Sequence, residues 1–220
     1  AKRERADYKR FFGIVNKHLV IYSERSGFYK YYEALIDGLL KSSNITIHYI
    51  TSDPDDAVFE LAKTQPRIRP YYIGLKKLIP LMMRLDADMV AMTTPDLDTF
   101  YIKRSLVRKD AEYIYVPHDM MSIHMGFHKG ALDHFDTVFA TGPHVEREIR
   151  STERVYGLPE KTVVPFGYPL AEKLEAAYEH MDKTPHEKKE ILIAPSWQED
   201  NLLDSVIDTL IAKLRAPDVH

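Results

Sequence analysis

Apolar positions recur along the chain in short, nearly continuous runs that are separated by longer segments. Several runs are apolar at consecutive rather than alternate positions, which is typical of strands covered on both faces. The pattern predicts eight strands, at residues 19–22, 45–50, 71–73, 89–92, 112–116, 137–140, 162–165 and 191–194.

Segments of helical length lie between most of these strands. They predict helices at residues 28–40, 55–63, 75–85, 143–155, 170–179 and 202–214. Regular alternation of strands and helices favours an α/β fold built on a doubly wound, mostly parallel, Rossmann-like sheet.

Four regions are predicted along the chain. Residues 1–18 form a basic N-terminal extension, and residues 19–180 form the Rossmann-like domain. The polar, proline-containing stretch 181–189 is a predicted linker. Residues 190–220 would then be the beginning of a second, truncated Rossmann-like domain.

The N-terminal extension carries five cations within its first ten residues. We favour a solvated helix there, with contact to anionic lipid as the alternative. The interspersed Glu4 and Asp7 weaken the lipid hypothesis.

Composition narrows the possible functions. The chain has 220 residues, a formal net charge of −3 and no cysteine, which excludes disulfides, cysteine zinc sites and thiol nucleophiles. No strongly basic face is evident, so we expect no binding to nucleic acid. No apolar run has the length of a membrane span and no signal-peptide pattern occurs. We therefore expect a cytoplasmic protein, with peripheral placement on the inner face of the membrane as a refinement.

The most informative chemistry follows the strand at 112–116, which ends in Pro117, His118 and Asp119. Ligands of open α/β sheets bind beyond the carboxyl ends of the strands. A neutral imidazole at that position can accept a proton from an attacking hydroxyl group. Asp119 is either an orienting group for the ring or a solvated loop acid. The next strand closes on Gly142, where a helix begins and offers free amides to negative charge.

Two further loops carry candidate binding residues. Ser26 and Gly27 follow the first strand and precede an aromatic helix start, which either lines an acceptor pocket or simply packs on the sheet. Ser196, Trp197 and Gln198 follow the predicted strand at 191–194 and would meet a diphosphate or ribose. Alternatively, Trp197 fills a gap between two domains.

Five histidines between positions 118 and 144 suggest a metal site, yet we predict none. His124 and His128 have helical spacing, but Gly126 and Gly130 interrupt the helix, and no HExxH motif occurs. Lys129, beside Gly130, is better interpreted as part of a phosphate-facing loop.

Four segments together carry a family resemblance, at residues 117–122 with 129–130, 135–142, 156–158 with 167–169, and 194–197. In order and spacing they resemble the CDP-glycerol glycerophosphotransferase family, the polymerases and primases of teichoic-acid and related capsule synthesis. The resemblance implies a GT-B arrangement of two Rossmann-like domains, with no dinucleotide cofactor and no obligatory metal. It also implies transfer of glycerol-phosphate, or a related polyol-phosphate, from a CDP-activated donor to a hydroxyl of a lipid-linked or capsular acceptor.

Roles follow for the candidate residues if the resemblance holds. His118 would be the catalytic base. The donor and its phosphates would contact Ser196, Trp197, Gln198, Gly142 and Lys129, and the acceptor side would include Ser26, Gly27, Asp119 and Ser122.

Two alternatives remain open at this stage. The same fold serves nucleotide-sugar glycosyltransferases and hexosamine epimerases, which would prefer uridine over cytidine diphosphates. The chain would otherwise be a non-catalytic, acceptor-binding fragment.

Overall fold

The computed structural model of the protein describes residues 2–182, 191–195 and 201–215. One parallel sheet runs through it, in the order β3-β2-β1-β4-β5-β6-β7. Its strands are β1 Lys17–Ser23, β2 Ile47–Thr51, β3 Ile68–Tyr72, β4 Ala87–Met92, β5 Glu112–Tyr115, β6 Thr137–Ala140 and β7 Thr162–Pro165. The predicted α/β, Rossmann-like fold class is confirmed.

Helices flank the sheet, and a short 3-10 turn, Ser26–Phe28, precedes the second of them. The helices in the described part of the chain are α1 Lys2–Phe12, α2 Tyr29–Ser42, α3 Val58–Thr64, α4 Leu75–Met83, α5 Ile123–Gly126, α6 Pro143–Tyr156, α7 Pro169–Glu179, α8 Leu202–Ser205 and α9 Ile207–Leu214. None of them is both long enough and apolar enough to cross a membrane.

Burial on both faces explains the continuous apolar runs. In β1, Leu19 and Ile21 pack with Ile36 of α2 on one face of the sheet. Val20 and Tyr22 pack with Leu81 of α4 on the other face. Successive side chains of a strand point to opposite faces, so a strand covered twice is apolar at nearly every position.

The N-terminal helix α1 is not the solvated extension that we expected. Phe11 is fully buried in the core beside Tyr71. Asp7 Oδ2 accepts a 3.0 Å hydrogen bond from the backbone N–H of Tyr72, and Glu4 Oε1 accepts one of 3.1 Å from the N–H of Gly74. Because β3 is the edge of the sheet, these N–H groups have no strand partner. The two acids that interrupt the basic run therefore dock the helix on the edge strand.

Two of the helix's cations also have protein partners. The guanidinium of Arg3 lies 3.8 Å from the ring centroid of Phe59, and that of Arg10 lies 4.2 Å from the ring centroid of Tyr71. Stacking on an aromatic face stabilises a guanidinium without removing its charge. Contact with anionic lipid through the remaining cations of α1 stays a prediction.

The chain divides into two compact units, Ala1–Leu174 and Glu175–His220. The sheet belongs to the first. In the second unit, residues 191–195 have no regular secondary structure, so the strand predicted at 191–194 is wrong. A strand needs a neighbour for its backbone hydrogen bonds, and the described residues of this unit contain no other strand. The helix predicted at 202–214 is divided into α8 and α9 at Val206.

Candidate functional site

His118 lies at the carboxyl edge of the sheet, just after the end of β5. The N–H of Val116 donates a 2.9 Å hydrogen bond to the carbonyl of Met92 in β4, the last bond of that ladder. Pro117 has no N–H, so pairing stops there and the chain leaves the sheet. The His118 side chain emerges 29% exposed, neither sealed in the core nor free in solvent.

Two phenols contact His118, one at its ring and one at its backbone. The Tyr115 hydroxyl lies 3.2 Å from Nδ1 of the ring, and the Tyr168 hydroxyl donates a 2.9 Å hydrogen bond to the backbone carbonyl of His118. Burial raises the pKa of Tyr115 well above its usual value, and burial together with the nearby Tyr31 raises the pKa of Tyr168 to about 12. Both phenols are therefore neutral at pH 7, and Nε2 is the ring nitrogen left for a ligand.

Asp119 presents a fixed carboxylate to that nitrogen. Its Oδ1 accepts a 3.1 Å hydrogen bond from the N–H of Met121, and its Oδ2 lies 3.7 Å from Nε2 of His118. That separation is too long for a hydrogen bond, so the contact is electrostatic.

Three aromatic rings line the space around the imidazole. The ring centroids of Phe28, Tyr31 and Phe127 lie 6.2, 6.0 and 6.4 Å from that of His118. Phe28 ends the 3-10 turn before α2, Tyr31 lies in the first turn of α2, and Phe127 follows α5. We call Phe28 and Tyr31 the aromatic wall. It gives the site an aromatic side next to the imidazole.

The aromatic residues at the start of α2 divide between the surroundings of His118 and the core. Phe28 and Tyr31 face His118, whereas Tyr32 is fully buried and donates a 2.7 Å hydrogen bond to the carbonyl of Tyr22. The preceding turn is held by a 3.2 Å hydrogen bond from the Ser26 N–H to Asp53 Oδ2. Phe28 ends this turn, and the acceptor-side role of Ser26 and Gly27 stays a prediction.

Ser122 is engaged with a residue that the sequence did not single out. Its hydroxyl donates a 2.7 Å hydrogen bond to Glu148 of α6, whose other carboxylate oxygen accepts a 2.6 Å bond from the N–H of Ile123. Burial alone would raise the pKa of Glu148, but these hydrogen bonds outweigh it and lower the pKa. Glu148 therefore anchors the loop after His118 to α6.

The two predicted phosphate contacts of this unit are far apart. Gly142 precedes α6 at the carboxyl edge, next to Thr141, whose hydroxyl oxygen is buried and has no partner among the described residues. Lys129 Nζ lies 4.0 Å from the ring centroid of Tyr156, the last residue of α6. A helix of 14 residues is about 20 Å long. Lys129 and Gly142 are thus not brought together.

Lys129 instead lines a cavity of about 240 Å³ between its loop and the second half of α6. His124 and His128 line it too, but they have separate partners. His124 Nε2 lies 3.0 Å from Thr152 Oγ1, and His128 Nε2 lies 2.7 Å from Asp96 Oδ1. Within residues 2–182, 191–195 and 201–215, no group of three or more histidine or acidic side chains could hold a metal ion.

A second crevice, of about 210 Å³, opens where the strand order reverses between β1 and β4. The Thr94 hydroxyl donates a 2.9 Å hydrogen bond to Glu24 there, and Asp96 and Tyr101 complete the polar lining. Such reversal points are the usual ligand-binding places of doubly wound sheets. The two carboxylates suit hydroxyl groups and disfavour phosphate.

The remaining donor-side candidates, Ser196, Trp197 and Gln198, lie outside the described residues. The sequence did not predict the roles of four residues near His118 or its loop, Tyr115, Phe127, Glu148 and Tyr168. A signal existed for Tyr168, which lies between a glycine and a proline just after β7. Gly167 has a left-handed φ of 73°, a conformation that glycine adopts freely and that turns the chain toward His118.

Comparison with known proteins gives one similarity in structure. No family model and no curated protein matches the sequence. Among solved structures, the chain is similar to the wall teichoic acid polymerase TagF, in a histidine-to-asparagine variant soaked with CDPG. The two share 15% sequence identity with a TM-score of 0.50, over 97% of this chain and 58% of that one. The likeness is one of fold, and the chain spans 58% of the length of its neighbour.

Proposed function

We propose that this chain is the acceptor-side part of a transferase of the CDP-glycerol glycerophosphotransferase type. It would bring a hydroxyl of a lipid-linked or capsular cell-envelope acceptor to a CDP-activated glycerol or related polyol. The observation that carries the proposal is the state of His118. It is partly exposed at the carboxyl edge, with Nδ1 3.2 Å from the Tyr115 hydroxyl and Nε2 3.7 Å from the Asp119 carboxylate.

The chemistry needs one base and good alignment. The acceptor oxygen attacks the phosphorus that bears the glycerol, a new P–O bond forms, and the bond to the CMP portion breaks. His118 Nε2 takes the proton of the attacking hydroxyl, and the Asp119 carboxylate lies 3.7 Å from the nitrogen that receives it. In-line positioning of the hydroxyl contributes much of the remaining acceleration.

The similarity in structure to the teichoic acid polymerase supports the fold on which the proposal rests. That protein is a teichoic acid polymerase studied with CDPG, which makes a CDP-polyol a suitable donor to test. Contacts from Ser196, Trp197 and Gln198 to the donor diphosphate stay predictions. Gly142 stays a candidate phosphate contact through the free amides of α6.

The test is a transfer assay with CDP-glycerol and a polyol-phosphate acceptor, using this chain within its intact protein. His118→Asn should lower kcat by about 100-fold or more, the usual contribution of a positioned base, with an unchanged circular dichroism spectrum. His134→Asn is the matched control. His134 is exposed and precedes β6, so it lies at the amino end of that strand and away from the carboxyl edge. Turnover of His118→Asn within about threefold of that of the control would refute the role, because a base contributes far more than that.

A further inference from the structure

Two cations border the aromatic wall beside His118. The guanidinium carbon of Arg25 lies 5.5 Å from the ring centroid of Phe28, and Lys30 Nζ lies 5.0 Å from that of Tyr31. These rings are the ones 6.2 and 6.0 Å from the imidazole. Each ring of the wall therefore has the imidazole as one neighbour and a cation as another.

Among the described residues, neither cation has a carboxylate partner. Within the described part of the chain, the side chains of Arg25 and Lys30 form no ion pair, and both residues are exposed. Lys173 is different, since its Nζ lies 2.6 Å from Glu33 Oε2. Stacking on an aromatic ring limits the positions of a long cationic side chain while leaving its N–H groups free to bind an anion.

We propose, on the basis of the function proposed above, that Arg25 and Lys30 bind a phosphate of the acceptor. In a chain that ends in a polyol-phosphate unit, the free terminal hydroxyl is only a few bonds from the phosphate that links the unit. Holding that phosphate at the outer edge of the aromatic wall places the hydroxyl toward His118 Nε2. Arg25 and Lys30 are then specificity residues that select an acceptor ending in polyol-phosphate over a neutral sugar, which corresponds to extension of a polymer.

Binding is measured on this chain with sn-glycerol 3-phosphate as the charged probe and glycerol as the neutral one. The histidine side-chain resonances are followed by NMR, and that of His118 is assigned from the spectrum of His118→Asn. Glycerol 3-phosphate should shift the His118 resonance saturably, and glycerol should shift it much less. Arg25→Gln with Lys30→Gln should weaken the binding of glycerol 3-phosphate by about tenfold or more.

The matched control is Lys41→Gln with Lys76→Gln, which removes two exposed cations elsewhere, one of them at the far end of α2. It should bind the probe as the wild type does. Absence of a saturable shift in the wild type, equal binding of glycerol, or equal weakening in both double variants would overturn the proposal. Loss of kcat in His118→Asn is a separate measurement, so the two proposals fail independently.

Discussion

At the residue scale, His48 is the clearest case of a side chain whose protonation state is set by its surroundings. It lies in β2, 3% exposed, with Nδ1 3.0 Å from the hydroxyl of Tyr71 and the two rings stacked. Burial, followed by the charges of Lys17, Arg69 and Arg10, lowers the pKa of His48 to about 4. The ring is therefore neutral in the folded protein at pH 5 to 7.

Stability should fall as the pH falls because of this residue. Between pH 6.5 and about 4 the unfolded chain binds a proton at His48 that the folded chain does not, so stability present above pH 6.5 is lost progressively on acidification. The loss from this group is at most ~3 kcal/mol.

Urea unfolding at several pH values should show that His48→Asn loses less free energy of unfolding on acidification than the wild type does. His134→Asn, the exposed control, should keep the wild-type slope, and identical slopes for all three proteins would contradict the assignment.

At the element scale, α1 acts as a cover for the edge of the sheet. Glu4, Asp7 and Arg10 lie three residues apart, on one face of the helix, and reach the edge-strand groups of Gly74, Tyr72 and Pro70. Pro70 itself brings no N–H to the edge. Polar side chains at this spacing on a helix supply hydrogen-bond partners for the backbone groups of an edge strand that has no strand neighbour on that side.

Asp7→Ala should therefore destabilise the sheet unit. It leaves the Tyr72 N–H without an acceptor and removes one of the hydrogen-bond partners of Arg10, at a cost of about 1–3 kcal/mol. The matched control is Glu60→Ala, because Glu60 is exposed on α3 and pairs only with Lys63 in the described structure; its effect should stay below about 0.5 kcal/mol. Urea unfolding gives the free energies, and hydrogen exchange at Tyr72 gives the local effect. An exchange rate at Tyr72 that Asp7→Ala leaves unchanged would disprove the docking role.

Most elements of the first unit could be predicted from sequence, for a physical reason. Strands buried on both faces need apolar residues at nearly every position, and this signal is local. The docking of α1 was missed because its hydrogen bonds join residues 65 and 70 positions apart, which no local pattern records. The strand predicted at 191–194 failed because an apolar run becomes a strand only beside a partner strand.

At the scale of the whole sheet unit, the parallel topology assembles the candidate site. The carboxyl ends of β1, β5 and β6 share one edge, so Ser26, His118 and Gly142 could be assigned to the same side of the sheet from sequence alone. The position of Lys129 could not, because contacts such as Ser122 to Glu148 set the course of its loop. The phenols that hold His118 likewise depend on side-chain positions that periodicity does not specify.

The role of His118 as the base is tested most directly by measuring the tautomer of its ring. The measurement uses ¹⁵N NMR on this chain near neutral pH. A base at Nε2 requires the proton of the neutral ring to be on Nδ1, donated toward the Tyr115 hydroxyl 3.2 Å away. We predict a protonated Nδ1 and an unprotonated Nε2. A neutral ring with its proton on Nε2, directed at the Asp119 carboxylate 3.7 Å away, would contradict the proposed role of His118 as the base.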